Sequence, residues 1–195
     1  LIVESTDIYL LRTVSFHRFS AYLAVFYLPN SDKFKQNTSF ATVWRLYEFD
    51  RELRLLVSDA IERIEVAFRT ALSENMSMKY GSHWFEDETL FKQTGTYQVC
   101  QHERDEELQR YYSRYPMPNY PPSWILFEKL SFGTCSNLFR NIKAISDRRM
   151  ISDVFGYHPT IFASWIDALR YTRNLCAHHA RLWNRWFVTA PILPS

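Results

Sequence analysis

Glycine is scarce in this chain. Among 195 residues there are four, Gly81, Gly95, Gly133 and Gly156, each at least 14 positions from the next. A glycine-rich phosphate cradle, a dinucleotide fingerprint and a G-x-S-x-G nucleophile turn all need glycines within a few residues of one another, so those signatures are excluded. Cysteine is scarce too: Cys100, Cys135 and Cys176 are odd in number and form no C-x-x-C. That argues against a disulfide framework and for a reducing compartment, so the expected location is cytoplasmic. Long apolar runs are missing as well. The longest, Ala21 to Leu28, falls far short of the roughly 20 residues of a membrane-spanning helix, and no secretory leader opens the chain, so no membrane partner is expected. The first residue is Leu1, and an N-terminal piece is expected to be missing.

What is present fits a folded globular chain. Hydrophobic residues make up 47% and charged residues 23%, which places disorder out of consideration, and the length suits one domain over 1–195. The net charge of +2 hides an asymmetry: residues 140–195 carry +5, which leaves −3 for residues 1–139. Of the 23 cationic residues 17 are Arg, whose planar fork suits bidentate phosphate contacts.

Periodicity is helical wherever it is strong. From Thr38 or Ser39, both able N-caps, to Gly81, a natural stop, no Pro or Gly intervenes. Leu46, Phe49, Leu53, Val57, Ala60, Ile64, Phe68 and Ala71 recur every three or four positions, so a long amphipathic helix with a break or kink is expected, with Leu53 and Ile64 in the core. Tyr9 to Tyr27 reads as a first helix closed by Pro29-Asn30. Residues 81–101 read as irregular with short helical turns, and a polar helix is expected over Arg104 to Arg114. Four prolines between Pro116 and Pro122 force an extended connection before Ser123, which is expected to cap a helix reaching Phe132 and bending at Gly133. Ser146-Asp147 should cap a short helix ended by Gly156. Pro159 takes the first-turn position of the last strong helix, with the stripe Phe162, Trp165, Ile166, Leu169 and Cys176. Nothing alternates as a strand does, so the expectation is one all-α domain of packed helices.

The stripe of that last helix calls for an apolar residue at 173, and the sequence places Arg173 there. A buried guanidinium must be paired or it costs several kcal/mol, so it either meets a specific carboxylate or points into a site that needs positive charge. Asn174, His178, His179, Arg181 and Arg185 follow closely. An imidazole can take a proton from a ribose 2′-hydroxyl or give one to the leaving oxygen, while an arginine holds the phosphate; no metal or other cofactor is needed. The plainer alternative is that the two histidines cap a helix C-terminus and Arg173 pairs with a core carboxylate. A zinc site from Cys176, His178 and His179 with His17, His83 or His158 has poor spacing. Glu62 and Glu65 read as a solvated or salt-bridged face, Trp44 and Trp165 as core.

The string Leu169-Arg170-Tyr171-Thr172-Arg173-Asn174-Leu175-Cys176-Ala177-His178-His179-Ala180-Arg181-Leu182-Trp183-Asn184-Arg185 resembles the C-terminal signature of the Abi-like, abortive infection family of bacterial proteins. The blocks His17-Arg18-Phe19-Ser20-Ala21-Tyr22, Leu46 to Arg54, Ala60 to Glu65, Tyr80 to Trp84 and Leu130 to Gly133 resemble that family in its order, and the likeness covers most of residues 9–185. The resemblance implies the helical HEPN superfamily, many members of which are metal-independent RNases using an Arg, four to six residues, then a His. Arg173 and His178 match with four residues between, and Asn174 fills the polar position after the Arg. On that resemblance the expectation is an endoribonuclease of phage defence. His178 is its acid/base, Arg173 its phosphate clamp, Asn174 orients, His179 assists, and Arg170, Arg181 and Arg185 lie along the RNA. A homodimer is expected, because one protomer's Arg173–His178 pair supplies one imidazole where two proton transfers are needed, and a cognate antitoxin or regulatory RNA is a further expected partner. The competing expectation is a non-catalytic RNA-binding or protein-interaction module of a phage-defence or toxin–antitoxin system.

Overall fold

In the computed structural model, which describes residues 5–93, 95, 106–118 and 120–193, the elements are helical. They are α1 (Ser5–Val14), α2 (Phe16–Leu23), α3 (Phe40–Tyr80), α4 (Glu106–Arg114), α5 (Ser123–Lys129), α6 (Phe132–Asn141), α7 (Ile145–Asp153) and α8 (Pro159–Ala177), with short 3₁₀ turns at Ala24–Phe26, Trp84–Glu86 and Glu88–Leu90. Two isolated bridges, Tyr27 with Phe34 and Phe91 with Ile142, are the β pairing among the described residues. The class is all-α, as the periodicity requires. No described helix is long and apolar enough to cross a membrane.

The chain divides into two compact units, one of residues 1–59 and 172–186, the other of residues 60–171 and 187–195. In the first, the core is aromatic: Phe19, Tyr22, Leu23, Phe40 and Val43 are buried, with Trp44, Leu46 and Tyr47 packed on them. Phe19 stacks on Phe40 at 4.9 Å between ring centroids, and Tyr22 meets Tyr47 edge-on at 5.5 Å. Ser39 caps α3 by accepting a bond from the Thr42 N–H at 3.2 Å.

The expected single helix over Tyr9–Tyr27 is two helices. The chain breaks at Ser15, whose backbone takes φ 66°, ψ 139° and whose hydroxyl accepts from the Arg18 N–H. In α3 the expected break is absent: 41 residues are helical without interruption. Its buried side within the first unit is Val43, Asp50 and Arg54, with Tyr47 half-buried; Phe49 is exposed and Leu53 and Val57 half-buried. The expected stripe is therefore one position off, because the true face carries a carboxylate and a guanidinium that an apolar tally passes over.

In the second unit Phe68 lies edge-on to Phe132, Phe139 and Phe162 at 5.6–6.2 Å. In the same unit Ile61, Leu72, Met76, Trp84, Phe85, Leu126 and Phe127 are buried, while Ile64 is half-buried rather than core. Glu62 is exposed; Glu65 is buried and paired with Arg69, which also donates to the Phe127 and Glu128 carbonyls at 3.0 Å and so satisfies the end of α5. Ser123 does not cap α5. It is fully buried, and its hydroxyl bonds those of Ser73 and Ser77 at 2.9 and 2.7 Å. The helix ends at Lys129, short of Phe132, because Ser131 caps α6 through the Thr134 N–H at 3.0 Å. Asp147 likewise lies inside the first turn of α7, buried, bound by Lys79 at 2.5 Å and Tyr80 at 2.7 Å. Gly81 takes φ 90° and stops α3, as expected. Pro159 opens α8. Cys100, Arg104 and most of 94–105 lie outside the described residues.

Candidate functional site

The last turn of α8 and the segment after it, both in the first unit, hold most of the residues singled out from the sequence. Arg173 corrects the expectation of a buried guanidinium. It is exposed, because Cys176 and not position 173 continues the buried side in the final turns. The Cys176 thiol is pushed up by burial, which keeps it protonated and inert.

His178 and His179 sit where the helix ends, and the ending has a defined form. The Ala180 N–H reaches back to the Leu175 carbonyl at 2.9 Å and the His179 N–H to the Cys176 carbonyl at 3.0 Å. Those two bonds are a Schellman motif, with His179 as the left-handed residue at φ 55°. Glycine is the usual occupant there, since a Cβ costs about 1–2 kcal/mol in that conformation. Both imidazoles are exposed, and the His178 N–H still closes a helical bond to the Asn174 carbonyl at 3.0 Å. The capping geometry of the plainer alternative is therefore present, and the imidazoles remain open to solvent.

A buried carboxylate fixes the chain beyond this turn. Asp50 of α3, wholly buried, accepts from the Leu182 N–H at 3.0 Å and the Trp183 N–H at 2.6 Å. Its second oxygen accepts from Tyr22 Oη at 2.6 Å and from Arg54, which also donates to Tyr22 Oη at 3.0 Å. Burial and the Asp50 hydrogen bond push the Tyr22 phenol up to about 12, so it stays a donor at neutral pH. Two further ties come from α2: Arg18 donates to the His179 carbonyl at 3.2 Å, and Arg181 to the Ala21 carbonyl at 2.6 Å. The segment 179–183 is thus pinned at three backbone groups and by the Arg181 side chain.

Beside the turn lies a cavity of about 430 Å³, lined among others by Ser15, Arg18, Tyr47, Arg51, Arg54 and His179. Three arginines line it, and among the described residues no acidic one does. Among the described residues five non-glycine ones have positive φ, namely Ser15, Asn30, Asn37, His179 and Asn184. Asn tolerates that region, and the two others both line this cavity. Such residues cost about 1–3 kcal/mol each and cluster at functional sites.

The family model described as Abi-like protein matches residues 9–184. The chain belongs to the Abi-like protein family. No curated protein and no solved structure matches it. The matched span takes in every tie described above, from Arg18 to Trp183.

The remaining expected residues fall unevenly. Arg181 is half-buried, with its guanidinium on the Ala21 and Asn184 carbonyls, so it holds the turn. Arg185 is exposed and leans on the Arg181 carbonyl at 3.4 Å. Arg170 belongs to the other unit, where it is half-buried with a buried Nε that has no hydrogen-bond partner among the described residues. Among the described residues no three His, Cys, Asp or Glu side chains are grouped to hold a metal ion. His83 is engaged with Ser82 and the Tyr120 carbonyl, and His158 accepts from the Thr160 N–H. Sequence reasoning missed Asp50, Arg54 and Tyr22 as the support of the turn, and Ser15 with the cationic Arg18 and Arg51 as its neighbours. The available signal was an aspartate and an arginine four apart on an otherwise apolar stripe.

Proposed function

We propose that this Abi-like protein is a metal-independent endoribonuclease of phage defence. The observation that carries the reading is the exposed His178–His179 turn, one turn beyond Arg173 and Asn174 and pinned by a buried carboxylate and two arginines. Catalytic side chains gain from such fixing, because a misplacement of about 1 Å costs on the order of 100-fold in rate. The Arg–four residues–His spacing of the HEPN superfamily, which the Abi-like signature resembles, supports the same assignment.

The step is attack of a ribose 2′-oxygen on the adjacent phosphorus. The new O2′–P bond forms as the P–O5′ bond breaks, leaving a 2′,3′-cyclic phosphate on one fragment and a 5′-hydroxyl on the other. One imidazole accepts the 2′-hydroxyl proton and a second donates to O5′, while Arg173 offsets the charge that builds on the nonbridging oxygens. Each chain has two candidate imidazoles, His178 and His179. Twofold association of two copies would bring two such turns to one phosphate, since an isologous interface repeats the same patch on both sides. Arg185 would meet flanking phosphates.

A non-catalytic RNA-binding module would use the same cationic surface, and product chemistry separates the two. After induced expression, mapping of cellular RNA ends should find new 5′-hydroxyl and cyclic-phosphate termini that are absent with His178→Ala. Unchanged RNA ends at an expression level that arrests growth would overturn the nuclease reading.

A further inference from the structure

Arg18, Arg51 and Arg54 meet at the cavity beside His179, and their charges are balanced unequally. Arg54 is buried and paired with Asp50, so its charge is met from behind. Arg18 and Arg51 are exposed and have no carboxylate partner among the described residues; Arg18 spends one N–H on the neutral His179 carbonyl. Like charges held together without a counter-charge repel, and an arrangement that keeps them so is relieved by an anion. A second feature points the same way. Ser15, in its strained conformation, sets the start of α2 at the cavity wall, and the first-turn N–H groups of an eight-residue helix carry the positive end of its dipole. Tyr47 adds one aromatic side chain, half-buried against Tyr22 and Trp44. At about 430 Å³ the space lies in the range of small-ligand sites, about 300–1,000 Å³, and exceeds what a lone inorganic anion would fill.

We propose that this cavity is a nucleotide subsite for single-stranded RNA, with a backbone phosphate on Arg18 and Arg51 and the attached nucleoside against Tyr47. The inference rests on the nuclease reading for its choice of RNA, and it adds to that reading a second phosphate contact apart from the one held by Arg173. The Arg18 bond to the His179 carbonyl then joins the subsite to the turn, so a strand seated in the cavity is delivered to His178 and His179 in one register. Tyr47 supplies stacking, which every base can accept, so the subsite contributes affinity without selecting a sequence.

The test measures binding and cleavage separately. Binding of a fluorescent 12-nucleotide RNA is followed by anisotropy across a salt series in the His178→Ala background, so that cleavage cannot consume the probe. Arg51 is exposed and serves no core contact, so Arg51→Ala is expected to fold, with circular dichroism as the check. It should weaken binding about tenfold and flatten the plot of log affinity against log salt by about 0.7, the share of one single-strand phosphate contact. Arg51→Glu should weaken binding further, Arg51→Lys should restore part of it, and Arg149→Ala, which removes an exposed cation of α7, should change neither quantity. If the Arg51 variants match Arg149→Ala, or if RNA fails to bind while a nucleoside 5′-monophosphate binds in an Arg51-dependent way, the subsite as stated is overturned. Arg51-dependent binding together with no cleavage by the wild-type protein would leave the subsite standing and sink the nuclease reading.

Discussion

Replacing Asp50 by Asn tests the account of how the histidine turn is held. The wild-type carboxylate is fully buried and accepts four bonds, from Tyr22 Oη, Arg54 and the N–H groups of Leu182 and Trp183. An amide of the same shape has one acceptor oxygen, and its NH₂ group must face donors whichever way it is turned. The substitution also strips the counter-charge from Arg54, which is 5% exposed. Removing one member of a buried ion pair costs about 3–5 kcal/mol, and hydrogen bonds to charged groups are worth about 1.5–3 kcal/mol each, with overlap between the two figures. We therefore expect Asp50→Asn to lose about 3–5 kcal/mol in urea unfolding. The Leu182 and Trp183 amides should lose hydrogen-exchange protection at the same time. Because much of the loss comes from the abandoned guanidinium, adding Arg54→Met should recover part of it, though not the protection of the two amides. A single variant within about 1 kcal/mol of wild type, or unchanged exchange at Leu182 and Trp183, would refute the idea that Asp50 fixes this segment.

Three further predictions follow from the same geometry. The Tyr22 phenol, pushed up to about 12 from an ordinary value near 10, favours the folded state while it is protonated, so this contribution is whole below pH 10 and fades between 10 and 12. Its size is about 3 kcal/mol, and Tyr22→Phe should remove that part of the alkaline fall in stability; an unaltered limb in the variant would show that Tyr22 does not carry it. His179→Gly should raise stability by about 1 kcal/mol, since glycine takes φ 55° without strain, while weakening RNA binding at the cavity; a loss of stability would mean that the ring makes contacts worth more than the strain. Mixing Arg173→Ala protein with wild type should depress cleavage below the value expected from dilution if two copies share a site, and strictly proportional activity would argue for independent protomers.

The helical class was legible because every strong segment repeats at three and four positions, and Ser39, Gly81 and Pro159 mark ends as their backbone chemistry demands. The buried side of α3 was misplaced because it alternates apolar residues with Asp50, Arg54 and Glu65, whose cost of burial is offset by pairing four positions apart along the helix and, for Asp50 and Arg54, by partners distant in sequence. Ser123 and Asp147 were misread as caps for a related reason. Each is a short polar residue at a plausible helix start, and only the fold shows that Ser73, Ser77, Lys79 and Tyr80 claim them. Arg173 and the paired histidines stood out in the sequence as a group, but the exposure of Arg173 did not, since it depends on where the last turns of α8 rotate their buried side. The cavity had no local signature at all. Ser15, Arg18, Arg51 and His179 come from three separate stretches, and what unites them is the bond of Arg18 to a carbonyl 161 positions away.

The most direct measurement of the central claim is cleavage of a labelled single-stranded RNA by purified protein in excess EDTA, comparing wild type with His178→Ala and Arg173→Ala, each checked for an unchanged circular dichroism spectrum and melting temperature. The account predicts undiminished wild-type cleavage in the chelator and a loss of about 100-fold or more in both variants, the scale of a general acid/base and of a transition-state charge partner. Cleavage abolished by EDTA and restored by zinc or manganese, or retained in His178→Ala, would contradict it.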